Sequence, residues 1–249
     1  MEKKTSIIIV TYNALEFIKK LIESLRKYTH PMHEIIIIDN NSQQETKDYL
    51  HSLNKYENFK IVFNKENRLW SPANNQGLQI ASQDSEYCLL LNSDTEIFHK
   101  DWLLELQKPM NRFKNVGITG YQYNFSYISP TYGGIDGCCF LVRKKLFNEL
   151  GYLDENYPWN GAGYIFTAKA WAQGWYYYFV NNPKMFIHYG KRSRFSSKSQ
   201  LINQKVNKME ILKNLGLHPR KNYLALLRYH LKWFNINKYL EKKYLVYNS

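Results

Sequence analysis

The stretch that most narrows the fold of this chain is YCLLLNSDTE, residues 87–96. Its apolar run, Tyr87-Cys88-Leu89-Leu90-Leu91, has no polar alternation and closes on the polar triplet Asn92-Ser93-Asp94. That is the signature of a strand buried on both faces of a parallel sheet. Residues 6–12 (SIIIVTY) and 34–39 (EIIIID) share this character. Asn13 reads as the N-cap of a helix with Leu15, Ile18, Leu21, Ile22 and Leu25 at helical spacing, and Ser42-Gln43-Gln44-Glu45 reads as a capping box. Residues 60–64 form a short third strand, and Ser71-Pro72 reads as an N-cap and first-turn proline of a third helix. Strands alternating with helices predict an α/β fold whose mainly parallel central sheet is flanked by helices. Ligands of such sheets bind beyond the carboxyl ends of the strands, where Asn92-Ser93-Asp94 falls. The triplet fits a helix-capping turn as well, and one carboxylate, Asp94, does not make a metal site alone.

Farther on, a helix is expected over 101–111 and strands over 116–123 and 138–142. The second of these is preceded by the glycine loop Gly133-Gly134-Ile135-Asp136-Gly137. A helix over 144–150 and another through Trp171, broken at Gly174, precede short strands at 175–180 and 185–188. Residues 191–198 are basic and serine-rich and read as a loop. The tail to Ser249 reads as helical, with Lys205, Lys208, Arg220 and Arg228 among its cations and Trp233 and Phe234 among its aromatics. Two readings fit the tail: peripheral contact with an anionic membrane, or a helix packed on the core with a solvated basic face.

A formal net charge of +13 over 249 residues favours a polyanionic partner, whether nucleic acid, membrane surface or phosphorylated substrate. No recognised nucleic-acid motif accompanies it, so nucleic acid is not expected as a partner. Cys88, Cys138 and Cys139 have neither disulfide-framework nor zinc spacing, which fits a reducing compartment. The N-terminus passes from Met1-Glu2-Lys3-Lys4 directly into Ile7-Ile8-Ile9, and no apolar run reaches the roughly 18 residues of a membrane span, so a cytoplasmic location is expected, with the tail at the membrane surface as one option.

With these elements in order, the chain resembles family 2 glycosyltransferases of the GT-A fold over about residues 6–195. The resemblance rests on SIIIVTYN (6–13), IIIIDNNS (35–42), ENRLWSPANNQG (66–77), LLLNSDTE (89–96), GCCFLVRK (137–144), LDENYPW (153–159) and IHYGKRS (187–193). It implies a GT-A domain over 1–198, with a nucleotide-binding half at 1–100 and an acceptor half at 101–198, followed by a basic helical extension at 199–249. The implied activity is metal-dependent transfer of a sugar from a nucleoside diphosphate sugar to a hydroxyl of a glycan, a lipid-linked glycan or a protein. Thr11, Asn13 and Asp39 would lie beside the nucleotide, with helix capping as the plain alternative for Asp39. Asn67, Arg68, Asn75 and Asn92 would flank base and diphosphate, and Arg68 replaces a small residue expected there. Asp94 would bind Mn2+ or Mg2+, joined by His188, a residue type that is also often structural. Lys191, Arg192 and Arg194 would neutralise phosphate. Trp70, Tyr132, Tyr157 and Trp159 offer sugar-stacking surfaces.

At one place the chain departs from the family pattern. Ala162 and Gly163 stand where relatives carry an acidic pair, and Ile165 replaces another acid. Three readings follow. Asp136, Asp154 or Glu155 serves as the base; or the reaction proceeds with retention and needs no base there; or the protein binds a nucleotide sugar without transferring it.

Overall fold

A computed structural model describes residues 1–122, 127–128, 137–159, 161–181 and 184–190. Asp136, Tyr132, the basic loop with Lys191, Arg192 and Arg194, the 198/199 domain boundary and the 199–249 extension lie outside the described residues. In chain order the elements are β1 (Thr5–Thr11), α1 (Leu15–Tyr28), β2 (Glu34–Asp39), α2 (Gln44–His51), β3 (Phe59–Phe63), α3 (Trp70–Gln79), β4 (Tyr87–Asn92), β5 (Thr95–Ile97), α4 (Trp102–Arg112), β6 (Val116–Gln122), β7 (Tyr127–Ile128), β8 (Cys139–Arg143), α5 (Lys144–Leu150), α6 (Ala162–Ala172), β9 (Tyr176–Asn181) and β10 (Phe186–His188).

The main sheet has the order β3-β2-β1-β4-β8-β6-β9-β7. Its first four strands are parallel, β8 runs antiparallel between β4 and β6, and β6 and β9 are parallel. The continuous apolar runs are explained by burial on both faces. Ile7, Ile9, Ile35, Ile37, Leu89 and Leu91 pack with α1 and α4 on one side. Ile8, Ile36, Ile38, Cys88 and Leu90 pack with α3, α5 and α6 on the other. Alternate residues of one strand thus feed two cores. Among the described residues no helix is long and apolar enough to cross a membrane.

Helix α3 approaches β1 most closely at Gly77, where an added Cβ would lie 2.4 Å from Ile8 Cγ2. A helical alanine ordinarily gains about 1 kcal/mol over glycine. Here Ile8 is fully buried in a central strand, and its β-branched side chain has little rotamer freedom to yield. Overpacking of this kind costs about 1–3 kcal/mol and displaces backbone. The second effect wins, so Gly77→Ala is expected to lower stability by about 2 kcal/mol in urea denaturation. Gly163 is the contrasting case: the nearest atom an added Cβ would meet is Trp70 Cη2 at 4.0 Å. Gly163→Ala should be neutral or slightly stabilising.

The expected helix caps are replaced by other contacts. The residue before α1 is Ala14, and that before α2 is Gln43, neither making a side-chain cap bond. Helix α3 starts one residue before Ser71, whose hydroxyl instead donates to the Tyr157 carbonyl at 2.9 Å. Asn13 and Ser42 bond to each other's loops, and this arrangement builds one wall of the site below.

Candidate active site

Three parallel strands end side by side. Thr11 is the register partner of Asp39, and Val10 that of Asn92, so β1, β2 and β4 deliver their terminal polar residues to one edge of the sheet. Thr11 and Asp39 share a sheet face, because register partners on neighbouring parallel strands project together. Both are almost fully buried, at 1% and 0% exposure.

The loops beyond these strands are knitted together. Asn13, at φ 51°, accepts the Gln43 N–H on its side-chain oxygen at 2.6 Å, and its own N–H donates to Ser42 Oγ at 2.9 Å. The Ser42 N–H donates to Asp39 Oδ2 at 3.0 Å. One oxygen of Asp39 is thereby committed to its loop, while Asp39 Oδ1 and Thr11 Oγ1 are buried with no hydrogen-bond partner among the described residues. An unsatisfied buried polar atom costs about 1–3 kcal/mol, more if charged, and native proteins hold few of them. Both lie at the carboxyl end of parallel strands, the edge beyond which sheets of this kind bind their ligands.

The segment after β3 forms the next wall. Asn64 Nδ2 donates to Asn40 Oδ1 and Gln76 Oε1, each at 3.0 Å, and Asn40 Nδ2 donates to the Leu69 carbonyl at 3.1 Å. This amide chain holds Leu69 at φ 65° and ψ −167°. That region is nearly exclusive to glycine and costs other residues on the order of 1–3 kcal/mol. The backbone position that asks for glycine is therefore Leu69, one residue beyond Arg68. Arg68 itself is exposed on this segment.

Asn75, expected beside the nucleotide, bonds to the loop after α5. Its Nδ2 donates to the Leu153 carbonyl and to Glu155 Oε1, both at 2.9 Å, and its Oδ1 accepts the Leu153 N–H at 3.0 Å. It braces the 153–158 loop against α3, with help from the Ser71 N–H on the Pro158 carbonyl. Two of the candidate bases ride on that loop. Glu155 is exposed with one oxygen on Asn75, and Asp154 Oδ1 accepts the Asn156 N–H and side-chain amide, each at 3.0 Å. The loop leads toward α6, whose first residues are the buried Ala162 and then Gly163, so no carboxylate stands at that helix start. The Trp70 ring lies nearby, with Cζ2 only 3.1 Å from where a Cβ on Gly137 would be. That close approach gives the glycine before β8 its physical reason.

The polar triplet begins on the last residue of β4 and turns into β5, a turn closed by Thr95 Oγ1 donating to the Asn92 carbonyl at 2.8 Å. Strand β5 pairs antiparallel with β10, His188 opposite Thr95. The sheet therefore brings together two residues 94 positions apart in sequence: Asp94 Oδ1 stands 3.2 Å from His188 Nε2. Beside the pair, the Tyr189 N–H donates to the Asp94 carbonyl and the Tyr189 hydroxyl donates to Glu96 Oε2, two contacts that no motif in the sequence announces. Glu96 and Tyr189 stand inside the motifs LLLNSDTE and IHYGKRS, but nothing in either stretch pairs them.

Residues 6–134 match the model of glycosyl transferase family 2. Protein CgeD of Bacillus subtilis is 27% identical over 204 residues, covering 68% of this chain and 46% of that protein. The poly-beta-1,6-N-acetyl-D-glucosamine synthase of Staphylococcus epidermidis is 33% identical over 175 residues, covering 61% of this chain and 42% of that one. This chain thus spans less than half the length of these curated relatives. Among solved structures, S. aureus TarS 1-349 superposes with a TM-score of 0.64 at 16% identity, covering 94% of this chain and 73% of that one. The mannosyltransferase PcManGT from Pyrobaculum calidifontis, in complex with GDP-Man and Mn2+, gives 0.62 at 16% identity, covering 74% and 55%. At these identities the structural likeness speaks for the fold, and the family match over more than half of the sequence speaks for descent. The chain belongs to glycosyl transferase family 2 and has the GT-A fold.

Proposed function

We propose that this protein transfers a sugar from a nucleoside diphosphate sugar to a hydroxyl of a glycan, a lipid-linked glycan or a protein. The observation that carries the reading is the pair of buried atoms without a hydrogen-bond partner among the described residues, Thr11 Oγ1 and Asp39 Oδ1, at the sheet edge where β4 ends at Asn92 and the turn to Asp94 begins. Their chemistry also favours a base class. With Asp39 Oδ2 held by Ser42, one acceptor and one hydroxyl would be left to meet a base. A pyrimidine imide, whose single N–H is flanked by carbonyls, matches that set. A guanine edge presents two adjacent donors and calls for both carboxylate oxygens.

Among the described residues no group of three or more His, Cys, Asp or Glu gathers as a metal cage. Asp94 and His188 supply one oxygen and one nitrogen, a donor set that suits Mn2+ completing its shell with water and substrate phosphates, whereas Mg2+ would use the Asp94 oxygen and leave the imidazole aside. Asp94 and His188 would hold the ion, which when bound neutralises charge on the departing diphosphate. Thr11 and Asp39 would seat the base, and the amide chain through Asn40, Asn64 and Gln76 would keep the Arg68 segment at the edge of the nucleotide. Asp154, Glu155 and Asp136 remain the carboxylates for the acceptor proton. One observation favours a second reading, a nucleotide-sugar-binding protein without turnover: α6 begins with Ala162 and Gly163 and offers no acid.

Nucleotide release from UDP, dTDP and GDP sugars, with Mn2+ and with chelator, separates these readings. Transfer predicts metal-dependent release from a uridine or thymidine donor. Tight binding with no release from any donor, with and without oligosaccharide acceptors, would support the second reading.

A further inference from the structure

We infer that Tyr189 is a positioning residue for the Asp94–His188 pair; this rests on the metal role proposed for that pair. The ribbon of β5 and β10 has two strands of three residues each, and an isolated ribbon of that size is at best marginally stable. His188 is the last residue of β10, the position where a strand end frays first. Four contacts of the next residue hold that end in place. The Tyr189 N–H donates to the Asp94 carbonyl at 2.9 Å, tying the chain after His188 to the residue that His188 faces. The Tyr189 hydroxyl donates to Glu96 Oε2 on β5. Its ring lies 5.4 Å from the Phe17 ring and beneath the Lys20 ammonium, 5.3 Å from the ring centroid, so the ribbon end is also fastened to α1.

The two ends of the ribbon have different supports. Away from the site, the buried Phe186 stacks on Tyr121 at 5.3 Å and the Phe98 N–H donates to the Met185 carbonyl at 2.9 Å. Those contacts keep the ribbon folded without Tyr189. Tyr189 acts at the other end, where it fixes the spacing of the carboxylate and the imidazole. Residues that orient ligating groups in this way typically contribute 10- to 100-fold to metal affinity.

The test is binding of Mn2+ alone, followed by electron paramagnetic resonance of the free ion, on the full chain with Asp94→Ala, Tyr189→Phe and Tyr189→Ala variants. Circular dichroism and thermal melting are recorded for each without metal. Tyr189→Phe keeps the ring on Phe17 and Lys20 and loses the bond to Glu96, so affinity is expected to fall about 5-fold with melting unchanged. Tyr189→Ala is expected to weaken binding about 10- to 100-fold. Wild-type affinity in Tyr189→Phe, together with wild-type affinity in a folded Tyr189→Ala, overturns the inference while leaving the Asp94 site intact. Mn2+ binding that ignores Asp94→Ala overturns the metal reading, and the role of Tyr189 falls with it.

Discussion

Asp94→Ala is expected to lower sugar transfer at least about 100-fold at fixed Mn2+, the scale seen when one group stabilising transition-state charge is removed. Little else should change. The Asp94 backbone carbonyl keeps its bond from the Tyr189 N–H, and the His188 imidazole left behind, at 22% side-chain exposure against 11% for Asp94, keeps its access to water. Asp94→Asn separates charge from shape, since it retains size and an acceptor oxygen while losing the negative charge. The account expects a loss similar to that of alanine, with melting near wild type. An Asp94→Asn protein with near-normal turnover would mean that shape and hydrogen bonding at the turn, rather than charge, carry the effect.

Acidification should weaken the fold through His33. This residue is fully buried, and its Nδ1 accepts the Thr5 N–H at 3.1 Å, so the proton of the neutral ring sits on Nε2, which faces Glu2 Oε1 at 3.1 Å. Burial pushes its pKa from 6.5 down to about 4, aided by the charges of His30 and Lys4. Glu2 offers limited compensation, because its own burial raises its pKa and disfavours the charged form. The folded state thus resists a proton that the unfolded chain accepts. The stabilising contribution is complete above the unfolded value of 6.5, declines as pH falls below it, and is gone below about 4. Across that window the loss is on the order of 3 kcal/mol. Urea denaturation at about pH 7.5 and about pH 4.5 on wild type and His33→Gln measures it, since glutamine can accept from Thr5 and donate to Glu2 without titrating. The account expects a smaller acid-induced loss in His33→Gln. Equal losses in the two proteins would assign the acid sensitivity to other groups.

Much of the fold was legible because its strongest signals are local. Continuous apolar runs such as Ile7-Ile8-Ile9 and Leu89-Leu90-Leu91 have one simple explanation, burial on both sides of a sheet, and β1, β2 and β4 stand where those runs lie. Cap signals were misread because polar side chains near strand ends had better partners in the neighbouring loop. Ser42 serves Asn13 and Asp39, and Ser71 serves the Tyr157 carbonyl, so neither caps a helix. The site divides in the same way. Thr11, Asp39, Asn92 and Asp94 follow from strand ends. The Asp94–His188 pair was anticipated through resemblance, and only the β5–β10 register supplies its geometry. Asn75 bracing residues 153–158 depends on tertiary contacts 78 to 80 positions distant, which no local pattern encodes. Leu69 runs against local preference altogether, since leucine in a glycine conformation gives no sequence cue.

Whether Thr11 and Asp39 seat the base is tested by a calorimetric titration of UDP, in the presence of Mn2+, into wild type and Asp39→Asn. Asparagine can keep the oxygen that Ser42 uses and puts a donor where the open acceptor was, setting an N–H against the imide N–H of the base. The account predicts UDP binding that Asp39→Asn weakens by about 10-fold or more, the scale of one hydrogen bond to a charged group. UDP binding of equal strength in the two proteins would contradict a nucleotide seated on Thr11 and Asp39.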